Sequence, residues 1–151
     1  MALATSNFVI YHTDNPYTHD FHVTCQPYSM PKPTRGEVEA SLANAIIQFE
    51  KDHLGRGPLE ARVFIVEDLI LIRLRGVLTP AEVKLTQTPD GQKLIKEVRR
   101  QLLEGSRPLL EAIVEDGTGS RVVSLHTDIS VKTGERIIVF TLTENLERRF
   151  G

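Results

Sequence analysis

The sequence predicts an α+β fold of two layers, a four-stranded antiparallel sheet made from two hairpins with helices packed on one face. Three observations carry this. Residues 120–144, SRVVSLHTDISVKTGERIIVFTLTE, read as two strands around Thr133-Gly134. Residues 62–66 and 69–75 read as a second pair around Glu67-Asp68. The remaining apolar residues recur at three- and four-residue steps, giving the order helix, hairpin, short helix, long helix, hairpin.

Residues 1–35 differ in composition from the rest: they hold three of the five His, the only Cys, all three Tyr and both Met. They read as an extension, partly ordered or partner-binding, in which FVIY at 8–11 is a candidate edge strand and SMPKPTRG a linker. Residues 36–146 are the expected α+β domain and 147–151 a tail. From 35 to 54, Val38, Leu42, Ala45, Ile46 and Phe49 form the apolar face of a helix. Thr34 and Glu37 have capping-box spacing, and Gly55 is placed for a left-handed stop.

In the first hairpin a two-residue turn makes Val66 oppose Leu69. Val63, Ile65, Ile70, Ile72 and Leu74 then share an apolar face, while Phe64, Val66, Leu69 and Leu71 share the other with Arg62, Arg73 and Arg75. Both faces need cover. Thr79-Pro80-Ala81-Glu82 starts a short helix running to about Thr86, and Thr88-Pro89-Asp90 starts a longer one. Its expected buried stripe is Leu94, Ile95, Val98, Leu102, Leu109, Ala112 and Ile113, with a kink at Pro108 or a second helix capped by Ser106. Gly117-Thr118-Gly119 ends it. In the last hairpin, pairing Val131 with Arg136 puts Val123, Leu125, Ile129 and Val131 on the core face with Ile138, Phe140 and Leu142. The reverse side takes Ser124, His126, Asp128 and Ser130, opposed by Thr143, Thr141, Val139 and Ile137.

A chain of 151 residues, 40% hydrophobic and 25% charged, fits one domain burying roughly 68–70% of its unfolded surface. A formal net charge of -2 argues against nucleic acid or an acidic membrane as partner. The single Cys25 forms no internal disulfide, which fits a reducing compartment such as the cytosol or indifference to redox state, and the cytosol is the expected location. No apolar run approaches the roughly 20 residues of a membrane span, and the N-terminus has no secretory pattern. Direct membrane insertion is therefore not expected.

His126 and Asp128 are two residues apart on one strand, so their side chains point the same way about 7 Å apart and could share a proton or an anion. The competing reading is a pair satisfied by Thr141, Thr127 or an arginine within an interface. Arg56, Arg62, Arg73 and Arg75 complete the candidate anion- or partner-binding set with His126 and Asp128, because guanidinium favours planar, bidentate contacts. Arg99 and Arg100 are expected on the solvated side of the long helix, pairing with Glu97 or Glu104. Phe64, Val66, Leu69 and Leu71 are the expected homodimer interface, since monomers rarely leave such a patch open. His12, Asp14, His19, Asp20, His22 and Cys25 have metal-ligand chemistry but no compact ligand spacing, so neither metal nor cofactor is expected. Phosphate-loop, dinucleotide and nucleophile-elbow signatures are absent, and no catalytic residue is assigned.

The segments GRGP, LRGVLTPAE, RPLLE and LHTDISVKTGERIIVFTL resemble the small bacterial MpsC-like, or YbcI-like, family over roughly residues 36–142. The shared positions are Arg56, Gly57, Pro58, Arg75, Gly76, Thr79, Pro80, His126, Thr127, Asp128, Thr133, Gly134 and Glu135. The resemblance implies a link to a Na+-translocating, membrane-potential-generating system, with relatives beside inorganic-carbon uptake components. No catalytic role comes with it. It implies a non-catalytic cytoplasmic accessory or regulatory protein, held peripherally at the inner membrane through a protein partner of that transport system. The alternative is a small-anion sensor or small enzyme using His126, Asp128 and nearby arginines in an inter-subunit pocket.

Overall fold

A computed structural model describes residues 32–150 of the chain. The FVIY segment and the His12 to Cys25 group lie outside the described residues. Helix α1 spans Arg35–His53. Thr34 Oγ1 accepts the N–H of Glu37, whose carboxylate in turn accepts the N–H of Thr34, so the expected capping box closes. The helix ends before Gly55, which is left-handed at φ 82°. Its buried stripe is Val38, Leu42, Ile46, Phe49 and, unexpectedly, Glu50.

Strands β1 (Glu60–Val66) and β2 (Leu69–Arg75) pair antiparallel with Val66 opposite Leu69, as the two-residue turn requires. Helices α2 (Pro80–Leu85), α3 (Pro89–Gly105) and α4 (Arg107–Thr118) follow, then β3 (Val122–Ser130), β4 (Glu135–Leu142) and the short α5 (Glu147–Phe150). The sheet order is β1-β2-β4-β3, all antiparallel, with the helices on one face. The fold is therefore the expected α+β arrangement.

The core lies between helices and sheet. Ile65, Ile70, Ile72, Leu74, Ile138 and Phe140 are wholly buried from the sheet, against Leu42, Ile46, Leu103, Leu110 and Val114 from the helices. Each such side chain contributes about 1.5–3 kcal/mol by leaving water. The chain after β4 folds back on the first hairpin: Leu146 N–H donates to the carbonyl of Glu67, and Leu142 N–H to that of Asp68.

Three expectations change. Ile129, not Val131, opposes Arg136, so the second hairpin is shifted by two residues and closes through the four-residue turn 131–134. The favoured two-residue hairpin turns all need positive φ at the first central residue, which disfavours the β-branched Thr133; only Gly134 is left-handed there. A two-residue shift preserves which face each side chain takes. Val123 is an exception. A bulge between Val122 and Ser124 turns it outward, 62% exposed, while Val122 packs on the core in its place.

The long helical stretch breaks at Ser106 into α3 and α4. Ser106 occupies the N-cap position but makes no side-chain capping bond. The buried line runs one residue further along than the expected stripe on both sides of the break, so most of that stripe does not hold. The buried line on α3 is Gly91, Ile95, Arg99 and Leu103, and on α4 it is Leu110, Val114 and Thr118. Leu94, Val98, Leu102, Leu109 and Ala112 are exposed and Ile113 is half-buried.

Candidate functional site

The sheet register lays the predicted residues out in four rungs across the face that no helix covers. Val66, Leu69, Thr141 and Ser124 form the first, and Phe64, Leu71, Val139 and His126 the second. Arg62, Arg73, Ile137 and Asp128 form the third, and Glu60, Arg75, Glu135 and Ser130 the fourth. Strand pleating thus gathers an apolar corner at one end and a charged corner at the other. Phe64 is 38% and Val66 45% exposed.

The charged corner is a chain of alternating sign. Arg62 Nε meets Glu60 at 2.6 Å, Glu60 meets Arg75 Nη1 at 3.1 Å, and Arg75 Nε meets Glu135 at 3.6 Å. Arg73 closes it with Nε and Nη2 on the same Glu135 oxygen at 2.8 and 2.6 Å. Without this arrangement Arg62 and Arg73, directly opposed across β1 and β2, would repel. The hydrogen bond from Arg62 holds the Glu60 carboxyl below its ordinary range. Asp128 is likewise held low, by the backbone N–H of Ile129 and then by Lys96 Nζ at 3.2 Å. His126 is exposed beside it. Arg56 is not among the rungs: it follows α1 and donates to the carbonyl of Leu78 at 3.3 Å.

A second constellation lies inside, where sequence reasoning placed none. Arg99, expected in solvent, is 1% exposed. Its Nε and Nη2 donate to the two Glu82 oxygens at 2.8 and 2.6 Å, and Nη2 also to the carbonyl of Val77 at 2.8 Å. Arg136 enters the core face of β4 between Leu74 and Ile129, donating to Glu50 at 3.2 Å and to the carbonyl of Arg99 at 3.3 Å. Four ionisable groups from α1, α2, α3 and β4 therefore meet beneath the helices. Glu50 Oε2 and Arg99 Nη1 have no hydrogen-bond partner among the described residues. Burial pushes the Glu50 carboxyl up, against the pull of Arg136 and Arg99. Burial also acts to raise Glu82, yet the hydrogen bonds from Arg99 and Thr79 outweigh it and hold that carboxyl at about 2. Arg100, by contrast, pairs with Glu97 at the surface as expected.

Among the described residues no group of three or more His, Cys, Asp or Glu is placed to hold a metal ion. Nor, among them, is any helix long and apolar enough to cross a membrane.

Residues 34–144 match the family model described as "Na+-translocating membrane potential-generating system (MpsC)". The "Uncharacterized protein YbcI" of Bacillus subtilis (strain 168) is 40% identical over 117 residues, 78% of this chain and 94% of that protein. The "Uncharacterized protein YrhF" of the same organism is 24% identical over 106 residues, 69% of this chain and 86% of that protein. No solved structure matches significantly.

Proposed function

The chain belongs to the MpsC family, and from that membership we propose that it is a non-catalytic, cytoplasmic accessory or regulatory protein of a Na+-translocating membrane system, working through protein contacts. The observation carrying this reading is the helix-free sheet face, where Phe64, Val66, Leu69 and Leu71 adjoin an ordered ionic chain. A second copy is the proposed occupant of the apolar corner, since isologous pairing sets apolar rungs against one another. The charged corner, with Arg62, Arg73, Arg75, His126 and Asp128, is the proposed contact for the membrane-system component. Arg56 has no part in it.

An enzyme or sensor built on that corner is less well supported. Each of Arg62, Arg73 and Arg75 is committed to Glu60 or Glu135, and Asp128 to Lys96. An anion binding there would first have to break those pairs.

The test is the solution mass of the full chain by sedimentation, followed by affinity capture from native membranes with wild type and with Leu71→Glu. A dimeric wild type, a monomeric and folded Leu71→Glu, and a membrane protein retained by the first and lost from Arg73→Glu support the reading. A monomeric wild type abolishes the dimer. Capture of the same proteins by wild type and Arg73→Glu abolishes the contact assigned to the charged corner.

A further inference from the structure

A cleft of ≈ 300 Å³ lies on the helix side of the sheet, between α3 and the β3–β4 pair. We propose that it is a binding site for a small oxyanion of the phosphate type, adjoining the protein-contact face at Asp128. Its lining includes Lys93, Lys96, Arg99, Arg100 and Arg136 against two carboxylates, Glu97 and Asp128.

The placement of these charges favours an anion. The two acids are at the surface, with side chains 50% and 79% exposed, so both carboxylates can turn into water when displaced. Two of the cations, Arg99 and Arg136, are buried in the wall, where low dielectric strengthens any attraction. Counting the partners behind the wall, Glu50 and Glu82, as well, five cations face four acids and one positive charge is left over. That excess matches Lys93, which makes no ion pair among the described residues. Arg99 also keeps one buried donor, Nη1, without a hydrogen-bond partner.

An oxyanion would exchange two exposed pairs, Lys96–Asp128 and Arg100–Glu97, for contacts to the same cations in a less hydrated setting. Guanidinium forks match tetrahedral and planar oxyanions in two-point contacts. The cleft volume is at the small end of ligand sites, which suits a compact anion. On the open face the acids that hold the arginines, Glu60 and Glu135, are less exposed than Glu97 and Asp128 and are displaced less readily into water.

The experiment titrates inorganic phosphate into the full chain, with sodium chloride at equal ionic strength as reference, and follows Tm and isothermal heat. Phosphate is expected to raise Tm beyond chloride. Lys93→Gln with Arg100→Gln, both at exposed positions, should keep the unliganded Tm and weaken phosphate binding about tenfold for each charged donor removed. Should the double variant not fold, Lys96→Gln gives the same reading alone. Arg73→Gln, on the open face, should leave phosphate affinity unchanged. Equal effects of phosphate and chloride, undiminished binding by the cleft variants, or a loss confined to Arg73→Gln would each overturn the proposal. None of these outcomes bears on the dimer mass, so the two readings fail separately.

Discussion

Glu82 grips the buried guanidinium of Arg99 at 2.8 and 2.6 Å while the same carboxylate accepts the backbone N–H of Thr79 at 2.7 Å. One side chain thereby caps α2 and neutralises a charge in the core. Removing either partner should have unequal effects. Glu82→Ala strands a buried cation and is expected to cost about 3–5 kcal/mol. Arg99→Met leaves Glu82 partly solvated and still capping, and is expected to cost less, about 1–2 kcal/mol. Urea unfolding midpoints at constant slope decide it; the reverse order would mean that Arg99 is not anchored by Glu82.

The two acids of this network, buried Glu50 and half-buried Glu82, should give the stability curve opposite slopes. Glu82 falls from its ordinary 4.5 to about 2 in the folded protein, so its contribution is complete above pH 4.5 and is lost as pH drops towards 2. Glu50 is raised above 4.5 by burial, so the folded state holds its proton more tightly, and stability declines as pH climbs from 4.5 through the raised value. Glu82→Gln should flatten the acid limb and Glu50→Gln the upper one. Chemical denaturation across pH 2 to 8, in about half-unit steps, measures both. An unchanged acid limb in Glu82→Gln rejects the assignment.

The fold was legible because local signals agreed. The Thr34/Glu37 and Thr79/Glu82 boxes, the Glu67-Asp68 turn and the alternation of Ile70, Ile72 and Leu74 all pointed to the elements found. The open face was legible too, because strand parity fixes faces even when register slips by two. What failed was periodicity on α3: Leu94, Val98 and Leu102 have the spacing of a core stripe, but Arg99, one helical step away, takes the core instead. The hidden network does leave a trace in the sequence. Arg136 shares parity with Ile138, Phe140 and Leu142, and Glu50 adjoins Phe49 on the stripe of α1. A charge in a core-facing slot calls for a buried opposite charge.

Glu50 and Arg136 should depend on each other more than the fold depends on either. Glu50→Leu or Arg136→Met alone leaves a buried uncompensated charge, at about 3–5 kcal/mol. Together they place similar volume without charge, and the double variant is expected to lie within about 1 kcal/mol of wild type or above it. A double-mutant cycle with additive losses would show that the pair is not coupled.

On the open face the ionic chain should matter for association and little for folding. Arg73 and Glu135 are partly exposed, so Arg73→Ala is expected to cost under about 1 kcal/mol of stability. In the proposed assembly the same change should alter the salt dependence of partner binding, measured as affinity between low and physiological ionic strength. A large folding loss with unaltered association would assign Arg73 to the scaffold.

The outer edge of β1 is guarded by α1 at one point. Ile65 N–H donates to Glu39 Oε1 at 2.9 Å, its carbonyl accepts Arg35 Nη2 at 2.5 Å, and Arg35 Nε meets Glu39 at 3.0 Å. Both main-chain groups that would template another strand are thus occupied by side chains, on an edge whose neighbours Phe64 and Val66 are apolar. Arg35→Ala with Glu39→Ala should cost about 1–3 kcal/mol by stranding the Ile65 amide and carbonyl. It should also free the edge for pairing between molecules, seen as concentration-dependent light scattering and a rise in amyloid-dye fluorescence on mild heating. Leu71→Glu, which leaves the edge capped, should show no such rise. If the double variant loses stability yet stays monodisperse at high concentration, the two side chains brace α1 against the sheet and do not protect its edge.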